Sequence, residues 1–471
     1  MATRRGAMNS KSRQMTIKGS TVKNRVTVVS LGCAKNLVNS EQMMYLLKEA
    51  GYELTGETDG TETVIVNTCA FIESAKAEAI ETILELGEAK KSGRIGRLIV
   101  AGCLPERYKS EILAEMPEID AVVGTGSFDD IVSVLAAQTG DKVQPGREPQ
   151  HGVKPALFGD INAPVSETGR VLTTSPLWVY IKIAEGCDNR CAYCVIPDIR
   201  GSFRSRRFER IIEEAEDLAG KGVRELILVA QDLTRYGLDI YGGRRLPELL
   251  VRLAEIDKLK WIRLHYLYPD DISEELIDVI AENDKILKYL DIPIQHINDG
   301  ILRNMNRRGS GGDIRALLGR LRERIPGLVL RTSIITGLPG EGESEFEELS
   351  LFLRETGIER AGVFTYSPEE GTAASLMDYP DPDTAARRKE FLDEIQSQIM
   401  DRFNEKRVGS QTEVLVEHRS GGSYFGRSFA ESPDVDGYIC IKGSGIAVNE
   451  FRHVSITGVE NGEPVGEVLR V

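Results

Sequence analysis

Along the first third of the chain, short runs of β-branched and aliphatic residues alternate with longer stretches whose apolar positions recur every three or four residues. The runs VTVVSLGC, TVIVNTC and RLIVAGC each precede such a stretch, respectively the segment from Ser40, FIESAKAEAIETILELGEA and PERYKSEILAEM. A buried strand reads as a short apolar run and an amphipathic helix as a stripe of period 3.6. Their alternation predicts βα units and a parallel sheet over residues 25–138, with DAVVGTG as a last short strand. Residues 139–175 are rich in Gly, Pro and polar side chains without a period, which reads as a linker. The alternation resumes over residues 176–403, with candidate strands WVYIKIAEG, ELILVAQD, WIRLHYLYP, YLDIPIQH, LVLRTSIITG and GVFTYSP. Six such units predict an open, partial (β/α)6 barrel of TIM-like type rather than a closed eight-fold one. From residue 404 to 471 the pattern changes to short β runs broken by glycine turns, TEVLVEH, GYICIKG and HVSITGV, which predicts a small five-stranded β-barrel. The fold class is therefore α/β multidomain. The basic, polar start over residues 1–24 has no period and no apolar core, and reads as a disordered extension without a secretory signal.

Composition narrows the class. The length of 471 residues suits about three domains. Hydrophobic content of 41% and charged content of 28% are globular values, and no apolar run reaches the ~18–20 residues that span a bilayer. A protein with no membrane segment in the cytoplasm is expected. The net charge of −14 disfavours a chain that holds nucleic acid by general electrostatics and favours a basic protein partner. Seven cysteines in such a compartment point to metal binding or catalysis rather than disulfides.

Six of those cysteines form two trios. Cys33, Cys69 and Cys103 are 36 and 34 residues apart, too far for one loop, yet each stands just past the carboxyl end of a predicted strand. In a parallel sheet those ends share one rim, where ligands bind. Three thiols there suit an iron–sulfur cluster with one iron left uncovered, since zinc would want a fourth Cys or His and the nearest histidine is His151 in the linker. Three unrelated buried cysteines are the competing reading. The second trio, Cys187, Cys191 and Cys194, lies in AEGCDNRCAYCVIP directly after a barrel strand. This Cys-x₃-Cys-x₂-Cys spacing lets each thiolate ligate a different iron of a [4Fe–4S] cube, and the fourth iron can then hold a sulfonium cofactor. Zinc is again the alternative. Tyr193 stands beside this loop, facing either the cofactor's adenine or its own packing. Gln231, Asp232, Gly337 and Glu341 end barrel strands on the rim and are candidate cofactor contacts. Arg200, Arg204, Arg206 and Arg207 follow the loop in a dense basic run suited to carboxylates. Cys440, outside both trios in GYICI, reads as a core residue.

With both trios in this order before a small β-barrel, the sequence resembles the methylthiotransferases, a radical S-adenosylmethionine family, over nearly all of its length. The resemblance implies a cluster-binding N-terminal domain at Cys33, Cys69 and Cys103, a radical domain whose cluster sits on Cys187, Cys191 and Cys194, and a substrate-recognising TRAM domain. It further implies two [4Fe–4S] clusters and S-adenosyl-L-methionine as cofactors, a sulfur donor, an electron donor such as flavodoxin or ferredoxin, and conversion of a C–H bond to C–S–CH₃. SLGCAKNLVNSE, YSPEEGT and FAESPDVDG look like the RimO-like branch, whose substrate is an aspartate β-carbon in the basic small-subunit ribosomal protein S-twelve. The tRNA-modifying branch has a more basic tail, whereas the tail from Glu405 carries ten acidic against seven basic residues. Asn39 stands where the family more often has aspartate. A non-catalytic iron–sulfur or zinc scaffold that binds RNA is the reading of another class.

Overall fold

Where a strand is covered on both faces, most positions are apolar; where one face differs in partner, the two sets of alternate residues go to two cores. The computed structural model describes residues 25–109, 111–139 and 154–469. The expected extension over 1–24, and the part of the expected linker over 140–153, lie outside the described residues. The N-terminal unit runs β1 (Arg25–Ser30), α1 (Ala34–Glu49), β2 (Glu53–Leu54), β3 (Thr61–Thr68), α2 (Glu73–Lys91), β4 (Ile95–Gly102), α3 (Cys103–Tyr108), α4 (Glu111–Glu115), β5 (Ala121–Val123), α5 (Ile131–Thr139) and β6 (Ala156–Leu157). Its six strands are parallel in the order β2-β1-β3-β4-β5-β6. Val64, Val66, Leu98 and Val100 face Ala79 and Ile83 of α2, while Ile65, Ile99 and Ala101 face Met43 and Leu47 of α1 and Leu135 of α5. The strand β6 falls in the stretch read as linker. Ala156 and Leu157 pair with Val122 and Val123, covering what would otherwise be the open edge of β5.

The central unit carries the parallel strands β7 (Trp178–Lys182), β10 (Glu225–Val229), β11 (Trp261–Leu264), β12 (Ile286–Asp291), β13 (Val329–Thr336) and β14 (Arg360–Thr365), hydrogen-bonded in sequence order; β8 (Ala184–Glu185) and β9 (Arg204–Ser205) form a separate two-stranded pair. The sheet is open, with β7 and β14 at its edges. Its outer residues, among them Val179, Ile181, Leu226 and Leu228, pack on surrounding helices through Ile211, Leu249 and Ile277. Its inner residues, Trp178, Tyr180, Ile227, Trp261 and Tyr289, form another core that includes Val38 of α1 and Leu415 and Ala430 of the tail. Both neighbouring domains thus cover the inside of the half-barrel.

After the helix Pro382–Lys406, which Asp381 caps at the Thr384 amide, the tail closes as a five-stranded barrel. Its strands are β15 (Gln411–Ser420), β16 (Ser423–Arg427), β17 (Ile439–Lys442), β18 (Glu450–Glu460) and β19 (Glu463–Val468), in the order β15-β16-β17-β19-β18. The interior holds Val414, Val416, Ile439, Ile441, Val454 and Ile456. Cys440 corrects the expectation of a core residue: it lies between the inward-facing Ile439 and Ile441, so the two-residue period turns it outward and leaves it half-buried.

The loop between β16 and β17 reaches into the half-barrel. Glu225 of β10, fully buried, accepts from Arg263 Nε at 2.8 Å and from Arg427 Nη2 at 2.8 Å. Tyr180 Oη donates to Asp434 at 3.0 Å, Tyr289 Oη to Asp436 at 2.7 Å, and His265 Nε2 lies 2.8 Å from Ser432 Oγ. Glu431 is held by Arg407 at 2.5 Å and Arg360 at 3.2 Å. Among the described residues no helix is long and apolar enough to cross a membrane.

Burial alone would raise the Glu431 carboxyl, but Arg407 and Arg360 outweigh it and hold the group at about 2, below its ordinary 4.5. A depressed carboxyl contributes stability that is complete above the unfolded value and is lost as pH falls through the folded one. The wild-type protein therefore loses stability between pH 4.5 and 2 through this group, and Glu431→Gln flattens that part of the profile while lowering stability at neutral pH. Denaturant midpoints across pH measure it; parallel profiles for the two proteins would refute the assignment.

Candidate active site

Cys33, Cys69 and Cys103 follow β1, β3 and β4, three adjacent parallel strands, so their carboxyl ends bring the residues to one rim. Two glycines let the loops close. Gly32 has φ +86°, and a Cβ there would stand 2.6 Å from Cys69 Cβ; Gly102 has φ +99°, and a Cβ there would stand 2.4 Å from Asn67 Oδ1. Asn36 and Asn67 tie the loops together: Asn36 Nδ2 donates to the Leu31 carbonyl at 2.7 Å and Asn67 Nδ2 to the Asn36 carbonyl at 2.9 Å. The thiols are close enough to influence one another. Burial, then the charges of Cys103 and Cys33, push Cys69 up to about 12. Burial acts the same way on Cys33, but Lys35 and Arg200 outweigh it and lower that thiol.

The second trio sits on the loop after β8. Gly186 enters it at φ +79°, where a Cβ would lie 2.0 Å from the Ser202 carbonyl oxygen. The Cys187 amide donates to the Gly201 carbonyl, the Cys194 amide to the Cys191 carbonyl, and the Ile196 amide to Cys194 Sγ at 3.5 Å. Backbone bonds from Ala192 to Met305 and from Ala374 to Ala192 anchor the loop to the barrel. Arg307, buried against the Tyr268 ring, places Nη1 3.8 Å from Cys191 Sγ. Tyr193 is half-buried beside Cys191 and Cys194; burial and those charges push its phenol well up.

A short helix joins the two trios. In α6 (Ile196–Arg200), Val195 just before it and Ile199 pack into the same core as Cys103 and Leu104. Arg200 Nη2 donates to Cys103 Sγ at 3.3 Å and to Asn36 Oδ1 at 3.0 Å, and Nη1 donates to Asn39 Oδ1 at 2.8 Å. Asn36 and Asn39 are thus two neutral acceptors that fix this guanidinium. Glu185, buried, takes Lys182 Nζ at 2.7 Å, Gln231 Nε2 at 2.9 Å and Arg200 Nη1 at 3.4 Å. Burial opposes its ionisation, but Lys182 and Arg200 hold it far below the usual carboxylate range. A second contact crosses the same junction: Lys35 of α1 lays Nζ 3.4 Å from the centroid of the Tyr266 ring on the barrel mouth. The N-terminal rim and the top of the barrel therefore face each other, with Arg200 and Lys35 between them.

The remaining rim residues divide. Gln231 bonds Glu185 and leaves its buried Oε1 without a partner among the described residues. Asp232 accepts from Asn189 Nδ2 at 2.8 Å, which holds the second trio's loop to β10. Gly337 and Glu341 lie at the end of β13, where their interactions are internal. A Cβ on Gly337, at φ +80°, would meet Ala385 Cβ at 2.6 Å. Glu341 is buried and accepts from Thr336, the Gly337 amide and Arg388 at 2.8–2.9 Å. Arg206 is bound to Glu167 and Glu214, and Arg204 to the Arg200 and Ser202 carbonyls. Glu185, Lys35 and Arg307 escaped the sequence reading; only the nearness of Lys35 and Glu185 to a trio cysteine in the chain could have flagged them.

The donor set fits iron–sulfur clusters. All six trio cysteines are free thiols, and each trio has a buried guanidinium aimed at one of its sulfurs. Among the described residues no three Cys, His, Asp or Glu groups converge on the point a single ion would occupy; a cube is instead gripped at its corners, one thiolate per iron. The unpaired Gln231 oxygen suits an ammonium donor such as that of S-adenosylmethionine.

Three family descriptions match the chain in turn: Uncharacterized protein family UPF0004 over residues 25–124, the radical SAM superfamily over 181–353 and the TRAM domain over 408–469. The ribosomal protein uS12 methylthiotransferase RimO of Pelotomaculum thermopropionicum is 47% identical over 94% of this chain and 99% of its own. That of Caldanaerobacter subterraneus is 46% identical over 88% and 93%. The chain belongs to the RimO family. It is accordingly a radical S-adenosylmethionine methylthiotransferase, an enzyme whose family uses an iron–sulfur cluster and S-adenosylmethionine. At the level of fold, the RimO-family chain is similar to the radical methyltransferase TsrM from Kitasatospora setae (TM-score 0.54, 17% identity, 86% of this chain and 80% of that one). It is also similar to the cobalamin-dependent radical enzyme OxsB (TM-score 0.52, 12% identity, 79% and 56%).

Arg200→Met removes a buried positive charge 3.3 Å from Cys103 Sγ. An iron–sulfur cluster bound by the first trio would then accept an electron less readily, and its midpoint potential would fall by on the order of 60 mV, a tenfold change for one electron. Redox titration followed by electron paramagnetic resonance, with the second trio replaced by alanine, reads this directly. An unchanged potential would rule the contact out.

Proposed function

We propose that this RimO-family enzyme methylthiolates the β-carbon of an aspartate in ribosomal protein uS12 and that it carries two [4Fe–4S] clusters, one on Cys33, Cys69 and Cys103 and the other on Cys187, Cys191 and Cys194. The observation that supports the reading is Arg200, which leaves the second trio's loop and donates to a sulfur of the first, joining the two trios at one domain junction. The clusters and S-adenosylmethionine, when bound, supply the electron, the hydrogen-abstracting radical and the methylthio group. The protein's own part is to place and insulate them. Arg200 and Arg307 offset thiolate charge in a buried setting, Tyr193 walls the second trio, and Gln231 with Asp232 offers hydrogen-bonding partners to the cofactor. Gly337 and Glu341 shape the turn at the end of β13 that borders it.

The tail supports a basic protein rather than tRNA as substrate, since it carries ten acidic against seven basic residues from Glu405 onward. The reading also places the enzyme in the cytoplasm, with a sulfur donor and a small redox protein such as flavodoxin or ferredoxin as further partners.

Anaerobically reconstituted protein is expected to hold about eight irons per chain, and alanine at all three positions of either trio to leave about four. With dithionite and S-adenosylmethionine, the wild type yields 5′-deoxyadenosine and the Cys187→Ala variant does not. Mass spectrometry of uS12 and nucleoside analysis of tRNA, after incubation in parallel, separate the two substrates. A methylthio group on tRNA alone would overturn the proposal.

A further inference from the structure

The buried cations at this junction each hold a carboxylate or donate to a sulfur or carbonyl oxygen, with one exception. Lys182 and Arg200 share Glu185, Arg331 pairs with Asp291 at 2.9 Å, and Arg307 donates to Cys191 Sγ and to the Pro293 carbonyl. Lys35 is only 7% exposed, yet among the described residues no carboxylate lies within ion-pair distance of its ammonium, which rests 3.4 Å from the centroid of the Tyr266 ring and is near enough to Cys33 to lower that thiol. A cation–π contact replaces only part of the hydration an ammonium gives up on burial. Tyr266 is itself held at φ +66°, a conformation non-glycine residues rarely adopt and one that clusters at binding sites.

The position is specific. Lys35 is two residues from Cys33, and the Tyr266 carbonyl accepts the Leu233 amide, next to the Asp232 that binds Asn189 in the second trio's loop. The ammonium therefore stands on the path from one trio to the other. Resting on the function proposed above, we infer that Lys35 is the receptor for a carboxylate in the reaction cleft, that of the substrate's acidic side chain, and so determines specificity for aspartate. The chemistry explains why a carboxylate would be gripped there. In aspartate the carboxyl carbon is bonded directly to the β-carbon, so fixing the carboxylate fixes the reacting C–H bond. A compact ammonium accepts a carboxylate from several directions and loses most of that attraction for a neutral amide of the same shape.

The test uses holoenzyme of the wild type, Lys35→Met and Lys35→Arg, with two peptides spanning the uS12 target loop, one with aspartate and one with asparagine at the target. Fluorescence anisotropy should show the wild type binding the aspartate peptide at least about tenfold more tightly than the asparagine one, Lys35→Met binding both alike, and Lys35→Arg restoring most of the preference. The affinity of each variant for S-adenosylmethionine is measured beside the peptide affinities, and the peptide preference is expected to fall by more than the cofactor affinity in Lys35→Met. Equal binding of both peptides by the wild type overturns the inference whether or not the methionine variant folds. Loss of S-adenosylmethionine binding instead of peptide preference assigns the carboxylate to the cofactor and also overturns it. So does a shifted potential of the first cluster with the preference intact. If the wild type leaves the aspartate peptide without a methylthio mass, the substrate reading fails and takes this inference with it; a modified aspartate peptide with preference unaltered in Lys35→Met sinks the inference alone.

Discussion

A six-stranded parallel sheet does not close on itself, and this one has aromatic and charged residues on the concave side that a closed barrel would fill with its own side chains. Those residues must be covered by something else. The N-terminal domain supplies Val38 and the tail supplies Leu415 and Ala430 to the same inner core as Trp178 and Tyr289. The tail also brings Arg427 to the buried Glu225. Incomplete closure is therefore what binds three domains into one molecule, and the site lies where the first of them covers the barrel's mouth.

The electrostatics of that junction follow from gathering thiols in a dry place. Three neighbouring sulfurs repel one another once ionised, and burial removes the water that would screen them. Cations must be built in. Arg200 and Lys35 serve the first trio, Arg307 the second, and Glu185 keeps Lys182 and Arg200 in register. Outside the cleft, Glu369 is buried between Lys76 and Arg107 and fastens the N-terminal domain to the segment after the last barrel strand. Breaking either partner would leave a charge without water or counter-ion, so the domains are held in one relation.

Most of the architecture was legible because it rests on periodic burial. Strands such as ELILV and TVIVNT are apolar on both faces, and the glycine-broken runs of the tail mark a small barrel. The short strand Ala156–Leu157 was not, since two residues carry no period and pair only because β5 offers an edge. Cys440 was read as core because residue type was weighed before register; Ile439 and Ile441 on either side decide which way it faces. At the site, the placement of both trios past strand ends was visible, whereas their convergence was not. Arg200 stood out only as one of four arginines. Its partners Asn36, Asn39, Cys103 and Glu185 come from three separate stretches of chain, and no local pattern encodes that meeting. Lys35 was hidden for the same reason, as its significance lies in what surrounds it.

The segment from Cys194 to Arg200 acts as a covalent ruler. It leaves the second trio's loop, makes a helix of five residues and ends on a sulfur of the first trio. Even fully extended, six residues reach only about 20 Å, and a helical stretch covers far less. The distance between the two cysteine trios, in different domains, is thereby inherited from a piece of backbone rather than from the way two surfaces dock. Such a spacing survives drift of the domain surfaces. It changes only by insertion or deletion within that stretch, where each residue gained or lost also swings the guanidinium about 100° around the helix axis.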